Sequence, residues 1–220
     1  MPTGNASARR ASTELTRQSL VRAVLALLAD HSLDAVSLRR VAAQAGVTPA
    51  AFYRHYEDLE ALGLDLVEES FRSLGQAMKR AGALLASEEN ALARALDVVA
   101  RYRDDQTPHL RFVVRERDGG LRRVRRAIER QVRLMTDELA VDLAAVPALA
   151  GWSMTDRRAL AGVVTDAMLR LGADLLEADP DEREATLTRT GHRLRLLGLG
   201  DTAHRDGPHS GSADQSMDGR

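Results

Sequence analysis

The run LRRVAAQAGVTPAAFYRHY at residues 38–56 decides how the chain is read. Val41, Ala42 and Ala45 fall on one side of a helix and Arg39, Arg40 and Gln44 on the other, so the spacing predicts a short helix with one buried stripe. Gly46 follows the last apolar residue of that stripe, where a helix ends most readily in the left-handed conformation that glycine adopts without strain. Thr48 is a good N-cap for a second helix, and Pro49 suits its first position because the N–H it lacks has no helical partner there. In that second helix Ala50 and Ala51 leave the backbone open to close approach. Phe52 and Tyr56, at i and i+4, supply an inward face, while Tyr53, Arg54 and His55 point outward or sideways. Two helices meeting through a tight glycine turn, the second opening with small residues, match the shape that a DNA major groove admits. An ordinary helical hairpin inside a core has the same local chemistry.

On the N-terminal side, Ser12 or Thr13 caps a helix with Glu14 in its first turn, and Leu20, Val24, Leu27 and Leu28 form its buried stripe. Residues 1–11 read as a mobile arm whose Arg9 and Arg10 either reach a minor groove or are simply solvated. On the other side, Leu59, Leu62, Leu66, Val67, Phe71, Leu74 and Met78 recur at three- and four-residue intervals, predicting one long helix. Further helices are expected over residues 91–102, from Thr107-Pro108 to the Asp118-Gly119-Gly120 turn, over 121–145, from Thr155 to 178, and from Pro180 to about 199. The total is about nine. Residues 201–220 lack periodicity and read as a disordered tail.

Composition agrees with an all-α chain: aromatics are 3%, and Ala, Leu, Arg, Glu and Asp dominate the 220 residues. The absence of cysteine excludes disulfides, thiolate metal sites and thiol nucleophiles, and fits a reducing cytoplasm. The formal net charge of −1 conceals an asymmetry, because residues 1–56 carry seven arginines against three carboxylates, leaving −5 for the remainder. A basic head on an acidic body is expected where only the head meets phosphates. The apolar run at residues 24–29 is too short to span a bilayer, so no membrane association is expected.

Catalytic signatures are missing: there is no GxSxG, P-loop, HExxH or strand-borne GxGxxG, and the six histidines lie too far apart for a local metal motif. Glu88-Glu89 and Asp104-Asp105 read as exposed helix ends. The expectation is therefore no catalytic residue, no metal and no cofactor. A helical body rich in Leu, Val, Ala and Met suits a slender apolar cavity, for which Phe71, Met78, Leu96, Val99, Tyr102, Phe112, Val113, Met135, Trp152 and Met168 are candidates; plain core packing explains the same residues.

The block at residues 37–62, carrying AxxAGVTxxAFYRHYxDLExL behind a long amphipathic helix at 17–29, resembles the DNA-binding domain of the TetR family of bacterial transcriptional regulators. That resemblance implies a head over residues 1–56 and an effector-binding and dimerisation body over 57–200, built as a homodimer on a pseudo-palindromic double-stranded DNA operator. It implies that Thr48, Ala51 and Tyr53 face bases or the adjoining backbone, and that Arg40, Tyr53 and His55 position phosphates, with Arg39, Pro49, Ala50 and Arg54 completing the face. Many relatives place a lysine at the start of the long helix to touch a phosphate; Leu59 stands there in this chain, so that contact does not carry over. The last two long helices, with Leu160, Val163, Val164, Ala167, Met168 and Leu171 on one and Leu187, Leu194, Leu196 and Leu197 on the other, are where family members dimerise.

Residues 53–70 and 112–120 are similar to the fatty-acid regulators of the FabR and DesT type. This implies a long-chain acyl-CoA or related thioester as effector, with its phosphate-bearing head group near Arg115, Arg117, Arg122 and Arg123; a solvated helix end with an internal Arg–Glu–Arg cluster around Glu116 explains the same arginines. Two other readings stay open at this point: a TetR-type regulator of efflux or another pathway with a different small apolar ligand, and an acyl-binding carrier or small enzyme with no role on DNA.

Overall fold

The computed structural model of the chain describes residues 4–87 and 91–205. Among them there are nine α-helices, three short 3-10 turns and no strand, the all-α architecture that the composition predicts. Helices α1 (Gly4–Leu27), α2 (Leu38–Gln44) and α3 (Pro49–Phe52) form the head. Its centre is built from Leu20, Val24 and Leu28, one face at four-residue spacing, closed by Leu33, Val41 and Phe52.

Helix α4 (Leu59–Ser87) carries the chain out of the head, its first turn capped where Ala61 N–H donates to Asp58 Oδ1 at 2.7 Å. The body continues as α5 (Ala91–Asp105), α6 (Thr107–Glu116), α7 (Arg122–Asp142), α8 (Met154–Glu177) and α9 (Pro180–Arg205). Helix α4 lies along α5 and α7, while α8 packs against α5, α6, α7 and α9. Gly63 is where α4 passes closest to its neighbours: a Cβ there would stand 2.6 Å from Leu33 and 2.8 Å from Val124. Any side chain at this position would push α4 away from both the head and α7.

The main apolar core ignores the division at residue 56. A single cluster runs from Leu20 and Phe52 through Leu62 and Leu66 of α4 to Phe112 on α6 and Ile128 on α7. Two smaller clusters complete the body, one joining α5, α8 and α9 around Leu96, Leu171 and Leu194, the other at the far end of α7 around Leu139 and Ala161.

The two chain ends differ from expectation. Helix α1 already begins at Gly4, so residues 4–11 are helical rather than an arm; the Ala8–Ala11 stretch holds only good helix formers and nothing that breaks the pattern. Helix α9 continues to Arg205, past the expected end near residue 199, because isolated glycines weaken a helix by only about 1 kcal/mol each and no proline intervenes before Pro208. The remainder of the expected tail, 206–220, lies outside the described residues, as do Glu88 and Glu89. The expected 121–145 helix ends at Asp142 and gives way to a 3-10 turn at Leu143–Ala145.

Candidate nucleic-acid interface

Local hydrogen bonds set the geometry of α2 and α3. Ser37 Oγ accepts from Arg40 N–H at 3.3 Å to start α2. At its end Gly46 takes φ +69°, Val47 N–H reaches back to the Ala42 carbonyl at 2.9 Å, and Gly46 N–H to that of Ala43 at 3.1 Å. These are the paired closing bonds of a glycine-terminated helix. Thr48 Oγ1 then accepts from Ala51 N–H at 3.1 Å, with Pro49 opening α3. Helix α3 is short, a single turn that continues as hydrogen-bonded turns to Tyr56.

Beneath it, Phe52 is wholly buried and stacks obliquely on Tyr56 with ring centroids 5.7 Å apart. The Tyr56 hydroxyl donates to Asp65 Oδ2 on α4 at 2.5 Å. Burial, reinforced by the Asp65 carboxylate, holds that phenol well above its ordinary range, so it stays protonated. The turn is thereby fixed from below. Above, Arg39, Arg40, Thr48, Pro49, Ala50, Tyr53 and Arg54 are exposed, and Ala51 and His55 are half-buried. Tyr53 presents 61% of its surface while its ring edge rests on Phe52 at 6.0 Å. Among the described residues no acidic side chain pairs with Arg39, Arg40 or Arg54. The arrangement offers small groups and hydroxyls at the start of α3 and unpaired cations around them, a surface shaped for an anionic polymer.

Two polar joints tie this head to the body. In the first, Arg17 on α1 reaches Asp65 at 2.8 Å and Glu69 at 3.7 Å on α4. Glu69 stands 4.0 Å from His109 Nε2 on α6, and the buried Ser70 hydroxyl meets His109 Nδ1 at 2.9 Å. Burial lowers the His109 pKa against the pull of Glu69, favouring the neutral ring that accepts or donates one bond at each nitrogen. In the second joint, Arg115 Nη1 donates to the carbonyls of Leu28, Ala29 and His31, where α1 has run out of helical donors. Beside it the buried Glu116 accepts the Leu33 N–H at 2.7 Å through Oε1, while Oε2 is buried with no hydrogen-bond partner among the described residues. Desolvation, added to by Asp34, raises the Glu116 pKa.

Residues 20–65 match the family described as bacterial regulatory proteins, tetR family. Over 196 residues, 89% of this chain and 94% of the relative, it is 31% identical to an uncharacterized HTH-type transcriptional regulator of Haemophilus influenzae. The chain belongs to the TetR family. Solved structures agree on the fold: a TetR-family transcriptional regulator of Mesorhizobium loti superposes with a TM-score of 0.63 at 16% identity, covering 86% of this chain and 97% of that one. The fatty acid degradation regulator FadR of Bacillus halodurans superposes with a TM-score of 0.59 at 14% identity, covering 84% and 95%. This TetR-family protein is thus a DNA-binding transcriptional regulator and not an enzyme.

Within the regulator's body, the ligand candidates are dispersed. Phe71, Tyr102, Phe112, Val113 and Met135 belong to the main core, with Met78 packed on it. Leu96 and Val99 belong to the second cluster, with Met168 against them, and Trp152 packs on the third. Tyr102 also borders an open cleft between α4 and α5, and Val113 one between α6 and α8. The arginines expected at a head group are largely engaged: Arg115 binds the end of α1, Arg117 pairs with Asp166 at 3.2 Å, and Arg123 with Glu60 at 3.3 Å, leaving Arg122 exposed.

Sequence reasoning passed over Arg17, Asp65, Ser70, His109 and the structural use of Glu116. A signal existed for two of them. Ser70 interrupts the stripe of Leu66 and Leu74 at four-residue spacing, and Glu116 continues that of Leu110 and Val113 at three. A polar residue in a buried stripe announces a partner from elsewhere in the fold.

Proposed function

We propose that the regulator works as a cytoplasmic homodimer in which each head lays the start of α3 in a major groove, the two grooves about 34 Å apart on a pseudo-palindromic operator. The observation that carries this is the outward array on a pinned turn: Thr48, Pro49, Ala50 and Tyr53 stand exposed over the buried Phe52 and Tyr56. In this reading Thr48, Ala51 and Tyr53 meet base edges or the adjoining backbone, and Arg39, Arg40, Arg54 and His55 meet phosphates. Alanines offer thymine a methyl contact but no hydrogen bond, so groove shape and deformability carry much of the specificity.

Dimerisation is assigned to α8 and α9. Leu171 and Leu194 of the expected surface are used within the chain, but Val163 and Leu196 are about half exposed, with Leu160, Val164, Ala167 and Met168 partly covered. These form the apolar side left for a second copy. The effector is a long-chain acyl-CoA or related thioester, the class implied by the likeness of residues 53–70 and 112–120 to fatty-acid regulators, and one in keeping with a fold shared with FadR of Bacillus halodurans. Effector binding shifts the heads through the Arg17 and Arg115 joints.

The test is gel retardation of the DNA upstream of the protein's own gene, with and without oleoyl-CoA. Retardation that changes with oleoyl-CoA supports the whole reading. Retardation that ignores it, together with thermal shifts from flat cationic drugs, replaces the effector class; no retardation at low salt removes the DNA reading.

A further inference from the structure

The arginines that border the body's clefts differ from one cleft to the next. In the cleft between α6 and α8, Arg117 and Arg170 each hold an aspartate at 3.2 Å. The cleft between α4 and α5 is different. Arg80 on α4 and Arg101 on α5 flank it, both exposed, and among the described residues neither has an acidic partner. Asp105 at one end leaves the cleft with one net positive charge.

The floor joins two kinds of surface. Ala77 and Val98 are apolar, while Ser73 Oγ and the Tyr102 hydroxyl lie side by side at 3.0 Å, and Gln76 and Gln106 add amide donors. The Ser73 hydroxyl donates to the Ser70 carbonyl at 3.0 Å, so the Tyr102 phenol, kept protonated by burial, donates to Ser73 Oγ. The space is about 280 Å³. At roughly 30 Å³ per water, such a volume takes one anionic group and a few carbons, with the rest of a larger molecule outside.

We propose that this cleft binds the anionic end of an organic ligand, a carboxylate or phosphate ester whose oxygens lie between Arg80 and Arg101 and reach the Gln76 and Gln106 amides. Guanidinium groups match both kinds of anion by charge-assisted hydrogen bonds. The cleft is also placed to be felt by the head. The Tyr102 hydroxyl lies 3.4 Å from the Ser70 carbonyl, and from Ser70 the polar contacts continue through His109, Glu69 and Arg17 to Asp65 and Tyr56. The proposal deepens the function given above by naming the chemistry of the effector's polar end, and it rests on that function only for its consequence on DNA.

The experiment is calorimetric titration of the full-length protein with two matched pairs, coenzyme A against pantetheine for phosphate and octanoate against octanol for carboxylate. The anionic member of at least one pair is expected to bind about tenfold or more tightly than its neutral counterpart, and the responding pair identifies the group. R80Q/R101Q is expected to lose at least about tenfold of that affinity, whereas R130Q/R133Q, on the exposed side of α7, keeps it. Both variants alter exposed side chains, and unchanged melting temperatures verify that they fold. The proposal is overturned if neither anion exceeds its neutral counterpart, if R80Q/R101Q binds like the wild type, or if R130Q/R133Q weakens binding equally. Operator retardation run in parallel separates the two claims: R80Q/R101Q that still retards DNA leaves the regulator standing whatever the cleft does, and anion binding by a protein that retards no DNA upholds the cleft alone.

Discussion

The outer side of the head and the joint between head and body use charge in opposite ways. On the outer face Arg39, Arg40 and Arg54 are exposed and, among the described residues, without an acidic partner, held out by a turn whose bonds span five residues or fewer. At the joint, Arg17, Arg115 and Glu116 bind groups tens of residues away, and Glu116 is almost wholly buried. In the proposed function the outer face is a prepared surface whose substitution changes what is bound. The joint is shared by two parts of one core, so its substitution changes how the parts sit and how stable they are.

The strongest way to break this contrast is Phe52→Ala, which empties the pinned turn from below. A loss of about 3–5 kcal/mol is expected. Because the core is continuous from Phe52 to Ile128, calorimetry should show one transition moved down in temperature rather than a separate early melting of the head. Arg115→Ala comes next. Releasing three carbonyls at the end of α1 should lower stability by about 1–3 kcal/mol in urea titration, with the outer face of α3 untouched.

Gly46→Ala tests the turn alone. A Cβ there meets nothing within 4 Å, so only the positive φ opposes it, a penalty of about 1–2 kcal/mol. A larger loss would mean that the turn is held by something other than backbone conformation.

Glu116→Gln sharpens the joint through pH. With its pKa raised in the fold, Glu116 keeps a proton that the unfolded chain releases, so the wild type loses stability as pH climbs above the ordinary carboxylate value toward the folded one. Glutamine does not titrate and still offers the Leu33 N–H an acceptor. The melting temperature of the variant relative to wild type should therefore rise between about pH 5 and about pH 8. The lowered pKa of His109 acts in both proteins and cancels in the difference.

The contrast also explains which features are legible in the sequence. Gly46, Thr48 and Pro49 act on neighbours within a turn, so the spacing at residues 38–56 predicts their caps, and the structure has them. The stripe of α4 comes from helical periodicity in the same way. Glu116 and Arg115 find partners more than eighty positions away, and nothing local distinguishes Arg115 from the solvated arginines of α7. The start of α1 departs from expectation for a related reason: small and basic residues suit an arm and a helix equally well, and the long helix that continues from residue 12 onward decides between them.

The smallest effect on stability and the most direct test of the account is at Tyr53. Tyr53→Phe removes an exposed hydroxyl and should leave stability within about 0.5 kcal/mol. Its binding to the DNA upstream of its own gene, measured by fluorescence anisotropy across a salt series, should weaken on specific and non-specific sequences alike, while both proteins show affinity falling steeply with salt. A salt-independent wild type, or a variant that binds as tightly as the wild type, would contradict the claim that this face meets the DNA backbone.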